Sequence, residues 1–165
     1  MVRVESVRID GEAIHIFGSA FYVFETVDSG SFLQLDVVVS EVVLRRYRGE
    51  ASLIVEVELC DGRVFGSIME LETVPGGLPQ LNFICAVDDA EEYRGFLRVS
   101  ENDLMSLPNI EEGITLEEIR AVEMPNEKVT LKLNLPIDQV EWLKRQKAKD
   151  LNKLIGEFIK GNIGE

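Results

Sequence analysis

The chain has 165 residues, 45% of them apolar, and a formal net charge of −13, enough for one medium domain or a small domain with an appendage. No apolar run is long enough to cross a bilayer, and the opening MVRVESVRID alternates with charges where a secretory leader would be apolar, so a cytoplasmic protein without membrane association is expected. An acidic balance also repels phosphate backbones, which excludes most of the chain as a nucleic-acid surface.

In chain order, residues 1–107 read as successive β-hairpins. VRVESVRIDGEAIHIF holds Asp10-Gly11 between two strand-like runs, and FYVFETVDSGSFLQLDVVV holds Asp28-Ser29-Gly30. The strongest hairpin signal is Asp61-Gly62 in LIVEVELCDGRVFGSIMELE, because Asp-Gly supplies the positive φ of a type I′ turn. Before it, Val55, Val57 and Leu59 share one face and Glu56 and Glu58 the other, as in a half-buried antiparallel strand. QLNFICAV and GFLRVS read as a fourth pair around the acidic loop DDAEEYR. VVLRRYRGE is open between helix and strand, and SENDLMSLP reads as one helical turn. TLEEIRAVEM has the capping-box spacing Thr115 to Glu118 and can begin a helix. Many short strands with regular turn signals predict an α+β chain whose body is a mostly antiparallel small β-barrel. Cys60 and Cys85 fall in apolar strand-like runs and are expected to be buried thiols.

Two small-barrel families share features with this body. The stretch VELCDGRVFGSIMEL…QLNFICAVDDAEE…FLRVSENDLMSL resembles an Sm-like barrel. That resemblance implies RNA or ligand contact through Asn82, with Arg94-Gly95 matching the family's Arg-Gly partner by letters and Arg98 matching it by spacing. LRRYRGE followed by DGRVFGSIMELETVPGGL resembles the rhythm of PilZ domains, which bind cyclic dinucleotides, although Leu71 and Thr73 stand where that family's motif has an acid or amide and a serine.

No catalytic constellation emerges, and no cofactor or metal motif. The single histidine, His15, lies between Ile14 and Ile16 and is expected to point to solvent. Gly76-Gly77 after Pro75 reads as a turn rather than a phosphate loop. Asp88, Asp89, Glu91 and Glu92 offer oxygen ligands without the spacing of a cation loop and read as an exposed acidic loop.

The composition breaks near Glu123 to Glu127. Residues 1–127 hold nine arginines, no lysine and 25 carboxylates, a net of −16, whereas residues 128–165 hold seven lysines, one arginine and five carboxylates, a net of +3. Two domains follow, an acidic 1–124 and a basic 125–165. In the basic part Val129, Leu131, Leu133 and Leu135 alternate with Thr130, Lys132 and Asn134, which predicts a strand. Pro136 ends it and suits the first turn of a helix with Ile137, Val140 and Leu143 on one side. Leu151, Leu154, Ile155, Phe158 and Ile159 then form a second helical stripe.

Strand, Leu-Pro, helix and LNKLI helix resembles the ribbon-helix-helix family of DNA-binding proteins. There, strands from two chains pair in the major groove and the helices interlock as the dimer core. The resemblance implies a homodimer, base reading by Thr130, Lys132 and Asn134, and a phosphate held at the start of the second helix, about Asn152 and Lys153. The turn QKAKDLNK lacks that family's Gly and capping Ser or Thr, so Asp150 is the expected cap. With no breaker between Pro136 and Gly156, one continuous helix over 137–160 is the competing expectation. Two function classes stay open. One is a dimeric DNA-binding regulator. The other is a β-barrel interaction or scaffold protein with a basic protein partner and an oligomerising C-terminal helix. An enzyme ranks below both.

Overall fold

The computed structural model describes residues 2–74 and 77–164, which leaves the expected turn at Pro75-Gly76 outside the described residues. The chain divides into two compact units, Met1–Asn126 and Glu127–Glu165, where the lysines begin.

The first unit is built on one mixed, mostly antiparallel sheet of eight strands: β1 (Val4–Ile9), β2 (Glu12–Ile14), β3 (Gly18–Glu25), β4 (Ser31–Val38), β5 (Ser52–Leu59), β6 (Val64–Glu72), β7 (Gln80–Val87) and β8 (Leu97–Ser100). Helix α1 (Glu41–Tyr47) joins β4 to β5, and α2 (Leu116–Val122) follows β8. The hydrogen-bonded order is β2-β1-β5-β6-β7-β4-β3-β8, so the ladder ends on β2 and β8 and does not close into the expected barrel. The sheet nevertheless curls. Phe21 on β3 and Phe65 on β6 are separated by two intervening strands, about 14 Å on a flat sheet, yet their ring centroids lie 5.8 Å apart.

Turn chemistry sets the hairpins. Asp10 and Gly11 have φ of +49° and +85°, the two positive angles of a type I′ turn, and join β1 to β2 in register. Asp61-Gly62 behaves differently from its prediction. Only Gly62 has positive φ, +89°, and Gly62 N–H donates to the Leu59 carbonyl at 2.9 Å while Leu59 N–H donates to Arg63 at 2.8 Å. The connection is a three-residue loop, Cys60 to Gly62, with Gly62 in the left-handed bulge position. Cys60 therefore lies in the loop and is exposed, not buried as expected, while Cys85 is half-buried and both thiols are free.

Burial follows the alternation of β5, where Leu53, Val55, Val57 and Leu59 are buried and Glu56 and Glu58 exposed. The expected β7–β8 hairpin is not formed. β7 pairs with β4 along its whole length and with β6 over Asn82 to Ile84, and β8 crosses to the free edge of β3, where it pairs in parallel, Tyr22 with Leu97 through Glu25 with Ser100. VVLRRYRGE resolves as α1, with Ser40 as cap accepting from Val43 N–H, and SENDLMSLP contains a 3-10 turn at Leu104–Ser106.

After β8 the chain returns over the outer face of β3 and β4. Ile110 packs on Ala20 and Tyr22. A Cβ at Gly18 would overlap the Ile110 carbonyl oxygen, so this crossing needs glycine there. Helix α2 carries the full capping box of Thr115 and Glu118, buries Ile119, and is tied to α1 by Arg120–Glu41 at 2.7 Å and Ser40 Oγ–Glu123 at 2.8 Å.

The second unit has two helices, α3 (Ile137–Arg145) and α4 (Ala148–Ile163), so the continuous-helix expectation fails. The break is at Gln146 and Lys147, with ψ of 149° and 144°. Residues 128–135 form no strand: a lone strand has no ladder to join. No described helix is long and apolar enough to cross a membrane.

Candidate functional site

The second unit concentrates the exposed apolar surface. No described residue from 127 to 164 is buried, and Val129, Leu131 and Leu133 are 78%, 60% and 65% exposed. Thr130, Lys132 and Asn134, the residues the alternation puts on the other face, are also exposed. Pro136 caps α3, where its missing N–H costs nothing. Gln146 ends α3 by donating its Nε2 to the Trp142 carbonyl at 3.2 Å. Helix α4 starts at Ala148 with Lys147 as cap and no side-chain acceptor for its first N–H groups. Asp150, the expected cap, sits in the first turn instead. Asn152 and Lys153 were expected at the start of the second helix. The earlier break carries them into the second turn, where backbone N–H groups are already bonded within the helix. On α4, Leu154, Ile155, Phe158 and Ile159 all remain exposed, with Phe158 at 71%.

The Sm-like residues are not brought together. Asn82 pairs with Asp36 and through it with Ala20, and Arg98 pairs with Val23; Ala20 and Val23 project from opposite faces of β3, so Asn82 and Arg98 do as well. Arg98 is held by Glu25 at 2.8 Å and the Ala90 carbonyl at 3.0 Å. Arg94 is exposed, 3.8 Å from Glu91, and Gly95 turns the chain with φ of +84°.

Asn82 instead belongs to a buried polar network the sequence reading missed. Asp36 accepts from Tyr22 Oη at 2.8 Å, Asn82 Nδ2 at 2.8 Å and Gln34 Nε2 at 3.2 Å. Asn82 Nδ2 also reaches Gln80, and Gln80 donates to Glu111, which accepts Leu78 N–H as well. Asn82 Oδ1 has no hydrogen-bond partner among the described residues. Burial, then the charge and hydrogen bond of Asp36, raise the Tyr22 phenol above its ordinary value, so it stays protonated and donates. The signal for this network was Asp36 itself, a charge inside the apolar run FLQLDVVV.

Little else is arranged for chemistry. His15 is exposed and edge-on to Phe17 at 4.6 Å. A hydrogen bond to Glu5 raises the Cys60 thiol and burial raises Cys85, which suppresses the thiolate at both. Asp89 caps a 3-10 turn at Ala90–Tyr93. Among the described residues, no group of three or more His, Cys, Asp or Glu is placed to hold a metal ion.

No family model matches the chain, and no curated protein or solved structure matches it at a significant level.

Proposed function

We propose that this chain is a non-enzymatic binding protein acting as a homodimer, and that residues 127–164 are a ribbon-helix-helix-like DNA-binding module of a regulator. The observation that supports this is that none of the unit's described residues is buried, despite three apolar stripes. Amphipathic helices of this length gain their stability from burying a face, and a lone strand gains none. A second copy related by a two-fold axis answers both needs. Paired 129–135 segments put the leucines over the helices and leave Thr130, Lys132 and Asn134 outward, where hydroxyl, ammonium and amide read base edges. In an antiparallel pair centred on Lys132, the two lysines lie side by side, an arrangement a polyanion relieves.

Light scattering on the full chain and anisotropy titration with duplex DNA at about 50 and 200 mM salt test this. A dimer whose DNA affinity falls steeply with salt, and falls again in Lys132→Glu, is the expected result. A monomer at every concentration overturns it. The net charge of −16 on residues 1–127 favours a second reading, an interaction protein with a basic protein partner. A dimer that ignores duplex DNA at low salt selects that reading, with the helices as the oligomerising element.

A further inference from the structure

The sheet forks between β6 and β7. The two strands pair only from Glu70–Ile84 to Glu72–Asn82, and the ladder stops there. Bonds from Leu59 N–H to Arg63 and from Leu71 N–H to Ala51 fix the phase of the β5–β6 ladder, so residues 65, 67 and 69 bond to β5. Val64, Gly66 and Ile68 consequently turn their N–H and C=O groups to the open side. Apart from the Ser67 hydroxyl, 3.3 Å from the Ile68 carbonyl, no described group bonds to them there.

The loop before β8 packs Tyr93 and Phe96 on the Phe65 ring, and its Arg94 carbonyl accepts from Arg63, but the main-chain groups of Val64, Gly66 and Ile68 lack the usual protection of an edge. The rims of the sheet end in β2 and β8, three and four residues long, and short rims resist pairing. The inner edge, Val64-Phe65-Gly66-Ser67-Ile68, has no lysine, proline or bulge, and Ile68 is 69% exposed. Gly66 has no positive φ, and a Cβ on it would meet nothing within 4 Å. Neither backbone strain nor internal packing accounts for a glycine in mid-strand, whereas close approach of another backbone does. On the outer face a recess of about 600 Å³ opens at the fork, floored by Phe32, Ile84 and Ala86 and flanked by Glu70 and Glu72. Glu56 stands opposite Gly66, and Asp88 and Asp89 follow the end of β7.

We infer that the open edge of β6 is a docking strand for an extended segment of another protein that alternates apolar and lysine or arginine side chains. Main-chain bonds to Val64, Gly66 and Ile68 supply the pairing, the recess takes apolar side chains, and the carboxylates select the basic ones. This inference stands on the first unit alone and survives whatever the C-terminal unit binds.

Amide hydrogen exchange on the full chain, read residue by residue by NMR, tests it with a short blocked peptide of alternating lysine and valine and a glutamate–valine control. At about ten times its dissociation constant the lysine peptide slows the Val64, Gly66 and Ile68 amides about tenfold, leaves residues 65, 67 and 69 unchanged, and loses this effect in Gly66→Pro and in Ile68→Lys. The glutamate peptide has no effect. Unchanged exchange, equal protection by both peptides, or protection at β8 instead overturns the inference. Edge amides already slow without peptide, and slower at higher protein concentration, overturn it in favour of a second copy of this chain.

Discussion

The two units are patterned alike and end differently. Residues 2–126 alternate strictly on β5 and bury Leu53, Val55, Val57 and Leu59 in a shared core. Residues 129–135 alternate just as strictly and bury nothing. Period two states which face is to be covered; only the number of neighbouring strands decides whether the same chain can cover it. The first unit supplies its own neighbours. The second has one segment and two helices, and its apolar stripes stay open.

Core truncations test that contrast most severely. Leu35 is fully buried on β4, and Leu35→Ala is expected to destabilise the first unit by about 2–5 kcal/mol. Leu154→Ala on α4 leaves that unit's urea midpoint unchanged and weakens self-association instead. The only tryptophan, Trp142, lies in α3 and reports the second unit by itself. Its fluorescence transition is expected to move to higher urea with protein concentration, while near-ultraviolet dichroism from the tyrosines, all in the first unit, does not move. A concentration-independent tryptophan transition would mean that the second unit is stable without a second copy.

Much of the first unit was legible in the sequence. Asp10-Gly11 forms the turn its letters imply, Thr115 and Glu118 form their capping box, and the faces of β5 follow its alternation. What escaped depends on contacts far apart in sequence. GFLRVS crosses to Tyr22–Glu25 rather than pairing with QLNFICAV, a choice between distant partners of which local pattern carries no record. Asp61 shows the limit on a shorter scale: the same Asp-Gly pair that makes a two-residue turn after Ile9 makes a three-residue loop after Leu59, because here the pair begins one residue later, after Cys60. The candidate interface was half legible. The stripes were readable, but the break at Gln146-Lys147 occurs without Gly or Pro and so left no letter to find.

The polar network sharpens the contrast from the other side, because the first unit buries the Asp36 side chain where the second buries none of its described residues. Tyr22→Phe removes a donor from Asp36 and is expected to cost about 1–3 kcal/mol near neutral pH. The phenol is raised in the folded chain and ordinary, about 10, in the unfolded one. Its contribution is therefore complete below about pH 10 and declines as pH rises further, since the unfolded chain then loses the proton first. Urea midpoints of the two proteins are expected to differ most at neutral pH and to converge above about pH 10. A gap that widens there would contradict the network.

Helix ends give the smallest and most local comparison. Helix α2 satisfies its first N–H groups with Thr115 and Glu118, while α4 begins behind Lys147 with no acceptor. Thr115→Ala is expected to cost the first unit about 0.5–2 kcal/mol, read as a lower urea midpoint. Lys147→Ser does the reverse, adding an acceptor and removing a positive charge from the positive end of the helix dipole. It raises helical dichroism without touching the apolar stripe of α4. If the second unit folds only as it pairs, that gain also appears as tighter association, because any free energy added to the paired helix is shared with the dimer. An increase in helicity with unchanged association would place the folding of α4 before its pairing.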